Sequence, residues 1–379
     1  MLKQFIGKNI NINNIIKNKN ELINSIKSIT PINLIENTPP KIVVGIDFGT
    51  VGIGYAYSFY ENQKNIILSD LKDQLDNKVP TEIILDNDLN DVLAFGNECA
   101  GYIRAYPKES YQYFKNIKMN LYNKIYKIKA INSGKEADLK DIITLILKET
   151  KKKAIQQIRL EHPDVGENTR CIVTVPAVWD LKSKQIMLDA SIAAGLIKQD
   201  DDFTNFFALE PEAASIYFCH ENVDKCYIRN IRLENKPIPF ILCDFGSGTV
   251  DIVTQRRILT DQEVDIKELY HPVGNIYGSR KINDYFIERV IKPLFGEENL
   301  NKIKNDLYES NEYDDWVNFE NSIENFKIKF NNINQIKEYS SPIDCELFDN
   351  ENIDIDILES INNFNKNNKW KLNTKKTRN

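Results

Sequence analysis

Two short segments of the chain combine a carboxylate, glycines and a hydroxyl: Asp47-Phe48-Gly49-Thr50 and Asp244-Phe245-Gly246-Ser247-Gly248-Thr249. A Gly-Thr turn between two strands aims successive backbone N–H groups to one side, which forms a concavity for anions. Glycine there lets a ligand come close to the backbone and permits positive φ. Thr50 and Thr249 add a hydroxyl donor each. A carboxylate at the strand end suits a hydrated Mg²⁺, which takes one or two carboxylates together with phosphate oxygens and keeps its waters. Two such turns facing each other would hold a polyphosphate and its metal between two lobes. One copy is a common hairpin turn, whereas a matched pair is far more specific.

The elements needed to position those turns are present. Ile42-Val43-Val44-Gly45-Ile46 is a β-branched apolar run that predicts a buried strand ending at Asp47, and strand-like residues resume from Val51 to Phe59. Phe240-Ile241-Leu242-Cys243 predicts a second buried strand ending at Asp244, continued by Val250-Asp251-Ile252-Val253. Between the two hairpins, Asp141 to Glu161 predicts an amphipathic helix through Ile142, Leu145, Ile146, Ala154, Ile155 and Ile158. Cys171 to Val175 predicts a strand, and Leu181 to Leu196 a helix with Asp180 as N-cap and Gly195 near its end. A short strand from Phe206 to Leu209 leads into a helix opened by Glu210-Pro211, proline being harmless in a first turn. Beyond Leu300 the pattern is helical to about Phe330 and then turns Asn-rich, acidic and finally basic, a tail predicted to be disordered.

Composition narrows the function classes. The chain has 379 residues, 49 Lys+Arg against 55 Asp+Glu, and a net charge of -6. This mild acidity argues against nucleic acid or an anionic membrane as partner, and no apolar run approaches the ~18 residues of a membrane span. The 45 asparagines are dispersed, which reads as surface substitution rather than a prion-like tract. Six cysteines are scattered. Cys171 and Cys243 fall in apolar runs, where Cys acts as a small buried hydrophobe, and Cys219, His220 and Cys226 lack the second ligand pair of a zinc site. A reducing, cytoplasmic compartment is expected. Residues 1–40 read as a poorly ordered leader ending in Thr38-Pro39-Pro40.

Other phosphate-binding devices do not fit. Gly49, Gly52 and Gly54 lack the G-x-G-x-x-G spacing that opens a Rossmann helix, and a strand follows instead. No H-R-D loop precedes Asp244-Phe245-Gly246, which excludes a protein kinase, and there is no Walker A sequence.

Taken in order, the motifs resemble the nucleotide-binding domain of the 70-kDa heat-shock chaperones, in the actin-like ATPase superfamily. Val44 to Thr50 resembles the first phosphate loop, and Ile172 to Ala177 with its following helix to Ala194-Gly195-Leu196 resembles the connecting segment. Glu210-Pro211-Glu212-Ala213-Ala214 resembles N-E-P-T-A-A, and Asp244 to Asp251 resembles D-L-G-G-G-T-F-D. Val178-Trp179, Ala208 to Ser215 and Tyr277-Gly278-Ser279 are similar in wording to the divergent heat shock 70 kDa protein 12 branch. The resemblance covers about 42–330 and implies an α/β, bilobal actin-like ATPase (ribonuclease H-like) fold with mixed sheets. Lobe I would occupy 41–235, a partial lobe II 236–335, and the tail 336–379.

The resemblance also implies roles. Asp47 and Asp244 would hold Mg²⁺ through water, while Gly49, Thr50, Gly246, Gly248, Thr249 and Gly278 would cradle ATP or ADP. Glu210 and Asp251 would position or deprotonate the attacking water, and Lys118, with Lys115 as the alternative register, would face the phosphates. Glu324 and Lys327 resemble the E-x-x-K that contacts adenosine. The sequence departs from the family at Val51, Ser247 and Ile328, and contains no late G-G-x-x-R-x-P segment. The second lobe is therefore expected to be incomplete, without a peptide-binding domain. The expected function is a heat-shock-like ATP-binding protein acting as a slow Mg-dependent ATPase with protein partners or co-chaperones; the alternative is a non-hydrolysing paralogue acting as a binding or scaffold protein. A small-molecule kinase of the same superfamily ranks third, since no sugar site is recognisable.

Overall fold

The computed structural model describes residues 41–69, 77–163, 169–197, 206–221, 238–259, 264–309, 313–329 and 357–367. The expected leader, Cys226, Cys345 and the side chains of Cys219 and His220 lie outside that description.

The first hairpin forms as its residue types require. Strand β1 (Ile42–Phe48) buries Ile42, Val44, Ile46 and Phe48 to 1% exposure or less. It turns into β2 (Gly52–Phe59), with Asp47 opposite Gly54 and Phe48 opposite Ile53. Strands β3 (Asn62–Leu68) and β4 (Lys78–Pro80) both pair with β2. A small sheet follows, from β5 (Ile83–Leu85), β6 (Val92–Phe95) and β7 (Gln112–Phe114), with α1 (Glu98–Ala105) between the last two. Helix α2 (Ile117–Tyr122) and the hairpin of β8 (Lys127–Lys129) and β9 (Glu136–Asp138) lead to α3 (Leu139–Glu161).

Strand β10 (Thr169–Val175) then lies parallel to β1, and after α4 (Leu181–Ala193) strand β11 (Phe207–Leu209) lies parallel to β10. The sheet order β11-β10-β1-β2-β3, a meander followed by two parallel strands, is that of the ribonuclease H-like fold. One apolar cluster joins β1 and β10 to Ile142, Ile146 and Leu147 of α3 and Met187 of α4. Asp180 caps α4 by accepting the Ser183 N–H at 2.8 Å, a contact whose loss costs about 1 kcal/mol.

Helix α5 (Glu210–Glu221) starts at the end of β11 and packs on the second sheet, where the Ser215 hydroxyl donates to Gln255 Oε1 at 2.5 Å. That sheet is a meander of β12 (Ile238–Phe245), β13 (Val250–Leu259) and β14 (Val264–Asn275). The first device recurs in the same register, Asp244 opposite Asp251 and Phe245 opposite Val250. Helix α6 (Arg280–Phe286) runs through a π-helical turn, Ile287–Ile291, into α7 (Lys292–Phe295), followed by α8 (Glu297–Glu309) and α9 (Tyr313–Lys329). A second core joins Ile291, Phe295, Phe319 and Ile323 to Ile84 and Tyr113 of the small sheet. No helix among the described residues is long and apolar enough to cross a membrane.

Two expectations are corrected. Strand β12 is not buried on both faces: Ile241 is 66% and Phe245 74% exposed, and Cys243 is exposed beside them. Strand β1 is flanked by β10 and β2, whereas among the described residues β12 pairs with β13 alone. Within the tail expected to be disordered, α10 (Ile357–Asn367) is a helix that packs on α7 and buries Phe364. Ile361 and Phe364 recur at helical spacing, a pair obscured in the sequence by Asn362 and Asn363 between them.

Candidate functional site

The first turn is held by its own hairpin and by the strand beyond it. The Thr81 hydroxyl donates to the Gly49 carbonyl at 2.9 Å, and the Thr81 N–H donates to Val51 O at 2.9 Å. Gly49 lies against the backbone of Gly52 with no room for a Cβ, so glycine is required by close approach. Thr50 is buried. Asp47, at the end of β1, is engaged at both oxygens: the Thr174 hydroxyl donates to Oδ1 at 3.3 Å, and Lys78 Nζ lies 2.5 Å from Oδ2.

The second turn meets the first directly. A Cβ on Gly248 would lie 2.5 Å from Thr50 Oγ1 and 2.6 Å from Met119 Sδ. The turn around Gly278 closes over it from the other side. Ser279 N–H donates to Gly246 O at 2.9 Å, Arg280 N–H to Ser247 O at 3.0 Å and Gly278 N–H to Gly248 O at 3.3 Å. Gly278 too has no room for a side chain against Ser247 and Gly248. Gly49, Thr50, Gly246, Gly248 and Gly278 thus form one cluster, with Thr249 buried at its edge.

Three carboxylates and a lysine stand beside the turns. Lys118 Nζ pairs with Glu210 Oε1 at 2.5 Å, the lysine buried and the glutamate partly so, and Lys118 lies 5.9 Å from the centroid of the Trp179 ring. Burial pushes the Glu210 carboxyl above its usual range despite the opposing charge of Lys118. Asp251 is 2% exposed. Thr249 donates a side-chain hydrogen bond to it, while its buried Oδ1 has no hydrogen-bond partner. Burial raises the Asp251 pKa, with the Asp244 charge adding to the effect. Asp244 is raised as well, first by burial and then by Asp47, against the lowering influence of Lys118 and Lys78.

The remaining expected residues line the outer wall. Lys115 pairs with Glu320 at 3.5 Å, so of the two lysine registers it is Lys118 that reaches the carboxylates. Glu324 and Lys327 form an i,i+3 ion pair at 2.6 Å; Asn283 Nδ2 donates to Glu324 at 2.7 Å, and Lys327 donates to the Ser279 carbonyl at 3.3 Å. Glu324 lines a cavity of ≈ 160 Å³ shared with Thr50, Val51, Lys115, Ser247 and Arg280. Lys327 is not among its lining residues.

Sequence reasoning missed Lys78, Thr174 and Arg280, which donates to Asn116 Oδ1. Thr174 stands in the strand predicted from Cys171 to Val175, one alternation away from the buried residues, and that is a usable signal. Nothing local marks Lys78. Among the described residues no group of three or more His, Cys, Asp or Glu is arranged to hold a metal. The pair Asp47 and Asp244 nevertheless suits a hydrated Mg²⁺ completed by its waters and phosphate oxygens, and the Lys78 ammonium stands beside Asp47 as its cation.

No protein-family model matches the chain. Heat shock 70 kDa protein 12A of Homo sapiens is 28% identical over 73% of this chain and 49% of its own length. Heat shock 70 kDa protein 12B of Homo sapiens is 26% identical over 68% of this chain and 46% of its own. These proteins are its homologues. The chain spans about half the length of the curated relatives it matches. Among solved structures, MreB5 of Spiroplasma citri bound to ADP gives a TM-score of 0.37 at 11% identity, covering 67% of this chain and 62% of that one. The AMPPNP-bound MreB5 gives 0.36 at 11% identity. At those scores the fold rests on the strand order and the repeated hairpin described above.

Proposed function

We propose that this chain binds ATP or ADP with Mg²⁺ between its two turns, as a heat-shock-70-like nucleotide-binding domain with slow ATPase activity. The observation that carries this reading is the meeting of the turns at Gly248 and Thr50: two anion-binding concavities separated by almost 200 residues of chain share one wall. The homology to heat shock 70 kDa proteins 12A and 12B supports it.

Gly49, Thr50, Gly246, Gly248 and Thr249 present the donors that would receive the phosphates, and Gly278 holds the second turn in shape. Asp47 and Asp244 would hold the Mg²⁺ through its waters. When bound, the ion neutralises phosphate charge and polarises the transferred group. Asp251 is the better placed general base of the two carboxylates: Oδ1 is buried and free of partners, and its raised pKa suits proton uptake. Glu210 is committed to Lys118 and positions that ammonium for the phosphates. Glu324, with Lys327 behind it, would face the nucleoside.

The engaged state of Glu210 also favours a second reading, a nucleotide-binding scaffold protein that does not hydrolyse. Protein partners, in either reading, would be those a chaperone-like protein engages. A reducing compartment such as the cytoplasm suits the scattered spacing of the six cysteines. Turnover of Mg-ATP separates the readings. In the ATPase reading Asp251→Asn lowers kcat about 100-fold, within the range general-base removal usually costs, with nucleotide affinity retained. Wild-type binding without turnover would favour the scaffold.

A further inference from the structure

Lys78 has no part in the expected site, yet the fold delivers its charge to the centre of it. Strand β4 pairs with β2 so that Lys78 lies opposite Gly54 and Pro80 opposite Gly52. The two glycines leave a bare strip across β2, and the lysine stem lies along it. A Cβ on Gly54 would sit 2.9 Å from Lys78 Cγ, and one on Gly52 would sit 3.3 Å from Lys78 Cβ. The strand is tied at both ends: the Ser69 hydroxyl donates to Asn77 O at 2.5 Å, and the Thr81 N–H to Val51 O at 2.9 Å. With that stem path fixed, Nζ stands 2.5 Å from Asp47 Oδ2, while Thr174 holds the other oxygen. The charge of Lys78 is also felt at Asp244.

We infer that Lys78 is the resident counter-ion of Asp47: it occupies the cation position in the nucleotide-free chain, so that a divalent cation binds only together with a polyphosphate. This rests on the nucleotide reading above. The physical ground is charge balance. A divalent ion approaching Asp47 alone meets a fixed ammonium of like sign, and a gain from one carboxylate does not offset that repulsion. A triphosphate brings several negative charges, which neutralise both cations and give Lys78 a new partner. The same residue therefore opposes the free ion and favours the nucleotide complex.

The test uses the full chain and Mn²⁺, followed by its own paramagnetic resonance signal, in place of Mg²⁺. Without nucleotide, Lys78→Met is expected to bind Mn²⁺ about tenfold more tightly than wild type, the size of effect one nearby charge exerts in a half-exposed site. Lys78→Arg, which keeps the charge, is expected to stay at the wild-type level. Lys78→Gln is the second neutral variant should Lys78→Met misfold. In the same samples, removing the charge is expected to weaken ADP binding. Mn²⁺ affinity equal to or below wild type in a folded neutral variant would overturn the inference. Failure of ADP to bind to any form, with the Mn²⁺ difference present, would instead overturn the nucleotide reading and leave the counter-ion role standing.

Discussion

Burying Asp251 and Glu210 in one corner makes the site a source of instability. Each carboxyl has a folded pKa raised above its unfolded value, chiefly by desolvation. A raised carboxyl holds its proton more tightly in the fold, so its favourable contribution is complete below the ordinary carboxylate range, about 4, and is lost as pH rises through the raised value. At neutral pH the ionised Asp251 is therefore a charge the fold would be more stable without, whereas removing Glu210 would strand the buried Lys118 ammonium. Asp251→Asn removes the charge at nearly constant shape and is expected to raise the melting temperature at pH 7.5 by about 2 °C or more, roughly 1 kcal/mol in a domain this large. The gain should shrink as the pH is lowered and the native aspartate takes up its proton. Differential scanning fluorimetry at pH 7.5 and at acidic pH measures this, and a lower melting temperature at both would contradict it.

At the scale of elements, the repeated hairpin was legible because β-branched runs, Gly-Thr turns and a terminal carboxylate all agree, and both copies have matching register. Burial was not legible. Phe240-Ile241-Leu242-Cys243 reads as a core strand, but an apolar run does not say how many neighbours the strand will have. Lys78 stayed hidden for a related reason. It lies in a three-residue strand, and its meaning comes from Gly52 and Gly54 on a different strand. The two hairpins therefore differ energetically along the corresponding rows of their first strands, Ile46 lying one residue before Asp47 and Ile241 three before Asp244. Ile46→Ala, at a fully buried site, is expected to cost about 2–5 kcal/mol. Ile241→Ala, at 66% exposure, is expected to cost under about 1 kcal/mol. Urea unfolding of the two variants checks the asymmetry, and equal losses would mean that β12 is covered as β1 is.

For the whole molecule, the two hairpins matter through the place where they meet. The phosphate half of the site was readable in the sequence as two separate motifs, and their contact was not, because Gly248 against Thr50 is set by the packing of α5, β11 and both sheets. That contact is also what makes the site depend on glycine. Gly248→Val would push Thr50 and Met119 away and part the turns, while leaving the carboxylates unchanged. Isothermal titration of the full chain with Mg-ATP, wild type beside Gly248→Val, is therefore the most direct measurement. Saturable binding by wild type, weakened at least tenfold in the variant, is the result expected; absence of binding by folded wild-type protein at millimolar ATP, or equal binding by both, would contradict a nucleotide site between the turns.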